Sequence, residues 1–161
     1  MTFSSRRAPS PWRLLLLGFS WCVPLLAHAG LGQSESSVAQ DSSRLQARHA
    51  RSLQAGYTLH ELQMADGSRI RQYVGADQRV FAISWHAMHK PDLTQLLGDA
   101  YPRYASAAQA AARRGGIQRH FHHQSLDLVV HSSAHLHLFA GYAYRPSMFP
   151  AGYQLPASGL E

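Results

Sequence analysis

Large and small side chains alternate most sharply over residues 79–86. Phe81, Ile83 and Trp85 share one parity and Val80, Ala82 and Ser84 the other, the pattern of a strand with one deeply packed face. Two shorter runs, 57–64 and 69–74, precede it. Ala65-Asp66-Gly67-Ser68 joins them with the Asp-Gly pair of a tight hairpin, and Gly75-Ala76-Asp77-Gln78 leads into the third run. The three predict an antiparallel meander. Downstream, Leu93, Leu96, Leu97, Tyr101, Tyr104, Ala105, Ala108, Ala111 and Ala112 recur at helical spacing. Asp92 is placed to cap this stretch, Asp99 to recap it after a break at Gly98, and Pro102 falls within the first turn, where it is tolerated. Gly115-Gly116 ends it. It reads as the main core helix. Residues 117–125 read as a histidine-rich connector, and 126–131 and 135–144 as two further strands. Upstream, 36–53 reads as a sparsely apolar helix stopped by Gly56, behind a flexible start at 30–33. The fold expected is α+β: an antiparallel sheet of about five strands (three-strand meander, helix, two-strand hairpin) with a core helix on one face and an N-terminal helix.

The first 29 residues follow a different pattern. Arg6, Arg7 and Arg13 are followed by Leu14-Leu15-Leu16-Leu17, an apolar run to Leu26 and the small-x-small triplet Ala27-His28-Ala29. These are the three parts of a cleavable export signal. The apolar run is about 13 residues long, and a membrane span needs about 20. The expected organisation is therefore a signal peptide at 1–29, one domain at 30–150 and a flexible tail at 151–161. The mature protein is placed in the periplasm or outside the cell, with no transmembrane span after cleavage.

Composition narrows the chemistry. Removing 29 of 161 residues leaves 132, the size of one domain able to bury a core unaided. The single cysteine, Cys22, leaves with the signal, which excludes a disulfide, a thiol nucleophile and a thiolate metal ligand. The chain carries a formal charge of +6, but with Arg6, Arg7 and Arg13 gone 12 of the 15 basic side chains stand against 9 acidic ones, a net +3. That excess is scattered, which argues against a nucleic-acid partner.

Catalytic motifs are scarce. His60-Glu61-Leu62-Gln63-Met64 begins like a zinc-protease motif, but the last position is Met and the segment reads as a strand. No P-loop, dinucleotide fingerprint or nucleophile elbow is present. Among the acidic residues of the expected strands, turns and helix caps, Asp66 and Asp77 suit turns and Asp92 and Asp99 suit caps, which leaves Glu61 and Asp127 without a local role. Six histidines, at 120, 122, 123, 131, 135 and 137, fall within 18 residues. If Leu126, Leu128 and Val130 face the same core as Leu136, Leu138 and Ala140, the hairpin loop must hold an odd number of residues. A loop of Ser132-Ser133-Ala134 meets that condition. It sets His131 across from His135 with His137 diagonal on the same outer face, a weak zinc or copper site; the plainer reading is a solvated row of imidazoles.

Several ordered motifs resemble one family. They are Ala29-Gly30-Leu31-Gly32, Tyr57-Thr58-Leu59-His60-Glu61, Arg71-Gln72-Tyr73-Val74, Val80-Phe81-Ala82-Ile83-Ser84-Trp85, the run Pro91-Asp92-Leu93-Thr94-Gln95-Leu96-Leu97-Gly98, Asp127-Leu128-Val129-Val130 and Pro150-Ala151-Gly152. Together they resemble the small exported bacterial proteins known as domain of unknown function 2844. The resemblance implies one domain of conserved length in Gram-negative bacteria and carries no activity or catalytic residue; the histidine cluster does not belong to its pattern. The functional expectation is a non-catalytic accessory or binding module of the cell envelope, with an envelope or protein partner. The alternatives are a histidine-based metal-binding protein and, more remotely, a small hydrolase.

Overall fold

The computed structural model describes residues 30–115, 119–155 and 160. The signal expected at 1–29 lies outside the described residues. The domain is α+β, built on a seven-stranded antiparallel sheet. Helix α1 (Ser36–Arg44) is followed by β1 (Arg48–Gln54), β2 (Tyr57–Gln63), β3 (Arg69–Val74) and β4 (Val80–Ala87). Next come α2 (Leu93–Leu97), a 3-10 turn Gly98–Ala100 and α3 (Tyr101–Arg113). Strands β5 (His120–Gln124), β6 (Val129–His135) and β7 (Leu138–Tyr144) complete the sheet. Its order is β1-β2-β3-β4-β7-β6-β5. Two meanders therefore meet at β4 and β7. The helical crossover carries the chain to the far edge, and the second meander returns it to the centre.

The central meander forms where the pattern places it. Asp66 accepts from Ser68 N at 2.8 Å and from Ser68 Oγ at 2.9 Å, and Gly67 takes φ 87°, which closes the β2–β3 hairpin. Asp92 caps α2, accepting from Thr94 N and Gln95 N. Leu96, Leu97 and Ala100 then bury against Leu62, Ile70, Ile83, Trp85, Val130 and Ala143 on one face of the sheet. A fully buried leucine such as Leu97 contributes about 2 kcal/mol.

Five expectations are corrected. The helix expected over 36–53 ends at Arg44, and 48–54 is instead edge strand β1; Gly56, φ 88°, turns a hairpin rather than capping a helix. Every residue of β1 is exposed, so no apolar rhythm betrays it. The start at 30–33 is bolted down: Leu31 is buried and donates to Leu96 O, Gly32 N donates to Val80 O, and Val80 N donates to Gln33 O. No residue of α3 is fully buried, so the main helical contribution to the core comes from α2 and the turn after it, with Tyr101 and Tyr104 half-buried. Asp99 caps nothing and instead accepts from Gln33 Nε2. The histidine-rich connector contains a strand, β5, so the expected two-strand hairpin is a three-strand meander and the sheet has seven strands rather than five.

A bulge divides the core between two faces. The register slips at Tyr73/Val74: Val74 pairs with Val80 and Tyr73 with Ala82, so Phe81 is the extra residue. Phe81 is thereby turned away from Ile83 and Trp85 into a second cluster on the opposite face, with Tyr73, Ala82, Tyr57, Phe149 and Tyr153. The segment read as a tail contributes Tyr153, Leu155 and Leu160 to this cluster.

Candidate functional site

On that second face the covering segment leaves part of the sheet bare. Directly opposed residues of an antiparallel sheet project to the same side. One cross-strand row runs Glu61, Arg71, Ser84, Tyr142, His131, His122 from β2 to β5. The next runs Gln63, Arg69, His86, Ala140, Ser133, His120. Ser84, Ala140 and Ser133 are small and lie between long side chains, so the two rows sink into a groove of about 560 Å³. Arg69 and Arg71 form one wall, and Tyr142 and His131 the other. Its size falls within the usual range for small-molecule sites.

The groove is organised by pairing. Glu61 takes the Nε–H of Arg71 at 2.8 Å. Tyr142 is stacked on His131, ring centroids 5.4 Å apart at 21°, and on Tyr144 at 6.1 Å and 16°. Among the described residues no carboxylate lies within ion-pair distance of Arg69, and none lines the groove. Ser84 and Ser133 share the groove with His86 and His131, but among the described residues no hydrogen bond joins a serine hydroxyl to an imidazole. A serine nucleophile needs that base beside it, and an orienting group behind the base.

The structure separates the three histidines singled out from the sequence. The β6–β7 loop is Leu136-His137, with Leu136 at φ 54°, not Ser132-Ser133-Ala134. His131 therefore faces Tyr142 on one side and His122 on the other, His135 faces Leu138, and His137 lies in the turn. The odd loop requires one apolar face for both strands. Val129 and Val130 are in fact both buried, while Leu126 and Leu136 are 99% and 86% exposed. Among the described residues no group of three or more His, Cys, Asp or Glu is placed to hold a metal ion. The nearest imidazole pair in this region is His122 and His131, ring centroids 6.1 Å apart.

A family model described as "Protein of unknown function (DUF2844)" matches residues 27–157. The chain belongs to this family. No curated protein and no solved structure matches it. In this DUF2844 domain the motifs that carried the resemblance map largely onto the frame: Val80–Trp85 is central strand β4, and the run from Pro91 to Gly98 holds α2 and its cap. Arg71, Ser84 and Trp85 are the motif residues that line the groove.

The DUF2844 domain holds three further polar clusters. His60, nearly fully buried, lies 3.0 Å from Glu35 through Nε2 and 2.8 Å from His49 through Nδ1; Arg51 reaches Glu35 at 3.0 Å. Burial pushes the His60 pKa below its usual value, and Glu35 opposes that. Asp127, left without a role by the sequence, joins Arg145, Ser147 and Arg103, ties the chain after β7 to the β5–β6 turn, and is held down to about 2, above all by Arg145. Asp41 is buried and accepts from Gln72 and Gln95, linking α1 to β3 and α2; burial pushes its carboxyl up. Glu61, the other carboxylate without a role, holds Arg71. Arg69, Arg71, Ser84, His86, Ser133 and Tyr142 carry no local signal in the sequence, because they meet only across four strands.

Proposed function

We propose that this DUF2844 domain is an exported, non-catalytic accessory module of the bacterial cell envelope, periplasmic or secreted, that binds its partner in the groove between β3 and β6. The observation that carries the reading is the groove itself: an open depression on a rigid sheet, with basic and aromatic walls, a floor of small residues, and Leu160 and Trp85 also in its lining. Export is supported by Arg6, Arg7, Arg13, the apolar run and Ala27-His28-Ala29. A second reading, weak zinc or copper binding, is favoured by the cross-strand pair His122 and His131.

Mass analysis of the protein recovered from the envelope fraction is expected to show Gly30 as its first residue. Envelope components captured by the wild type are expected to be lost with Ala140→Trp, which fills the groove floor, while the circular dichroism spectrum is unchanged. An intact leader retained in the inner membrane overturns export. An identical capture by Ala140→Trp overturns the groove as the binding surface.

A further inference from the structure

The groove's chemistry selects a class of ligand, and this step rests on the reading of the groove as the binding surface. We infer that it takes a saccharide bearing an oxyanion, a carboxylate or a phosphate, with Arg69 and Arg71 as the anion-binding pair. Arg71 is fixed by Glu61, which uses only its Nε–H and leaves the two terminal nitrogens to another acceptor. Arg69 is its neighbour two residues along β3 on the same face, and no carboxylate among the described residues neutralises it. Planar guanidinium groups recognise carboxylate and phosphate through paired N–H donors, and such charge-assisted bonds are stronger than neutral ones.

The rest of the groove suits the body of a sugar. Ser84 puts on the floor a hydroxyl able to donate to or accept from ligand hydroxyls, and Ser133, whose hydroxyl donates to Ala140 O, can accept from them. Tyr142, held by its stacks with His131 and Tyr144, lines the groove with a rigid ring against which the apolar edge of a sugar can pack. Ser84 is 6% exposed, so a ligand hydroxyl bonded to it is withdrawn from water. With Glu61 taken up by Arg71, the groove opposes cations, and among the described residues no carboxylate lines it to oppose an anion.

Calorimetric titration of the purified protein with glucuronate, glucose 6-phosphate and glucose tests this. Both anions are expected to bind, with glucose at least about tenfold weaker, and Arg69→Gln to weaken the anions by at least about tenfold while its circular dichroism matches the wild type. Binding of only one anion supports the inference and names the group. Added salt should weaken the anions and leave glucose unaffected. Equal binding of glucose and glucuronate, or anion binding indifferent to Arg69→Gln, overturns the ligand class. Absence of binding by all three also overturns it. In each of these cases the groove reading stands or falls separately, on the capture with Ala140→Trp.

Discussion

Replacing Gly141 by alanine should damage the fold from the centre of the sheet. Gly141 lies in β7, opposite Trp85 of β4 and Ser132 of β6. A Cβ added there would meet the backbone oxygen of His131 and would stand 2.5 Å from Trp85 Cζ2 and 2.8 Å from Cε2. Neither neighbour can easily yield. The oxygen belongs to a strand paired on both sides, and the indole is 4% exposed in the main cluster. Overpacking a close-packed core costs about 1–3 kcal/mol, and a clash with backbone and aromatic ring together puts Gly141→Ala near about 3 kcal/mol. With a urea slope of about 2 kcal/mol/M for a domain of this size, the denaturation midpoint should fall by roughly 1.5 M. Trp85→Phe removes the two indole atoms that clash, so on that background the same substitution should cost about 1 kcal/mol less, a coupling a double-mutant cycle resolves. A midpoint that moves by less than about 0.3 M would refute the close approach of β7 to Trp85.

The remaining predictions concern the histidines. The folded protein holds His60 neutral with a lowered pKa, so the unfolded chain binds the extra proton first and stability falls as pH drops below about 6.5. The urea midpoint should fall on acidification, and His60→Gln, which keeps a polar side chain facing Glu35, His49 and Arg51, should flatten that loss; an equal loss in both proteins removes His60 as its source. Zinc or copper taken up by the imidazoles of the sheet is held by His122 with His131: calorimetric binding should disappear in His122→Ala and persist in His135→Ala, whose native partner is Leu138. The reverse result would restore the odd-loop register.

The elements legible in the sequence were those whose signals are local. Alternation announced β4, Asp66-Gly67 announced the β2–β3 hairpin, and Asp92 announced α2, since each works through neighbours in the chain. The errors arose where partners are distant. A bulge opposite Val74 sent Phe81 to the second face, and alternation carries no mark of a bulge. Strand β1 is polar and exposed throughout, so its pairing with β2, not its own periodicity, makes it a strand. The β6–β7 loop was misplaced because Leu126 and Leu136 were counted as core, when both are among the most exposed apolar residues.

The groove was hidden for a related reason, yet its signature is present once register is known. On the second face β3, β4 and β6 each carry an apolar or small residue at one end and polar ones beyond, and β7 carries two tyrosines and an alanine. β3 runs from Tyr73 to Arg71 and Arg69, and β4 from Ala82 to Ser84 and His86. β6 runs from Val129 to His131 and Ser133, and β7 from Tyr144 to Tyr142 and Ala140. Pairing brings Tyr73, Ala82, Tyr144 and Val129 into one row, and Phe149, Tyr153 and Leu155 pack along that side of the face. At the next row β3, β4 and β6 turn polar with Arg71, Ser84 and His131, while Tyr142 of β7 still packs against the cluster. A face meant only for solvent has no need of Trp85 and Gly141 packed so closely behind it, or of a stacked Tyr142 and an anchored Arg71 along its walls. The covered row stabilises the sheet, and that stability lets the uncovered rows hold a polar, basic groove in fixed geometry, as a binding site built on strands requires.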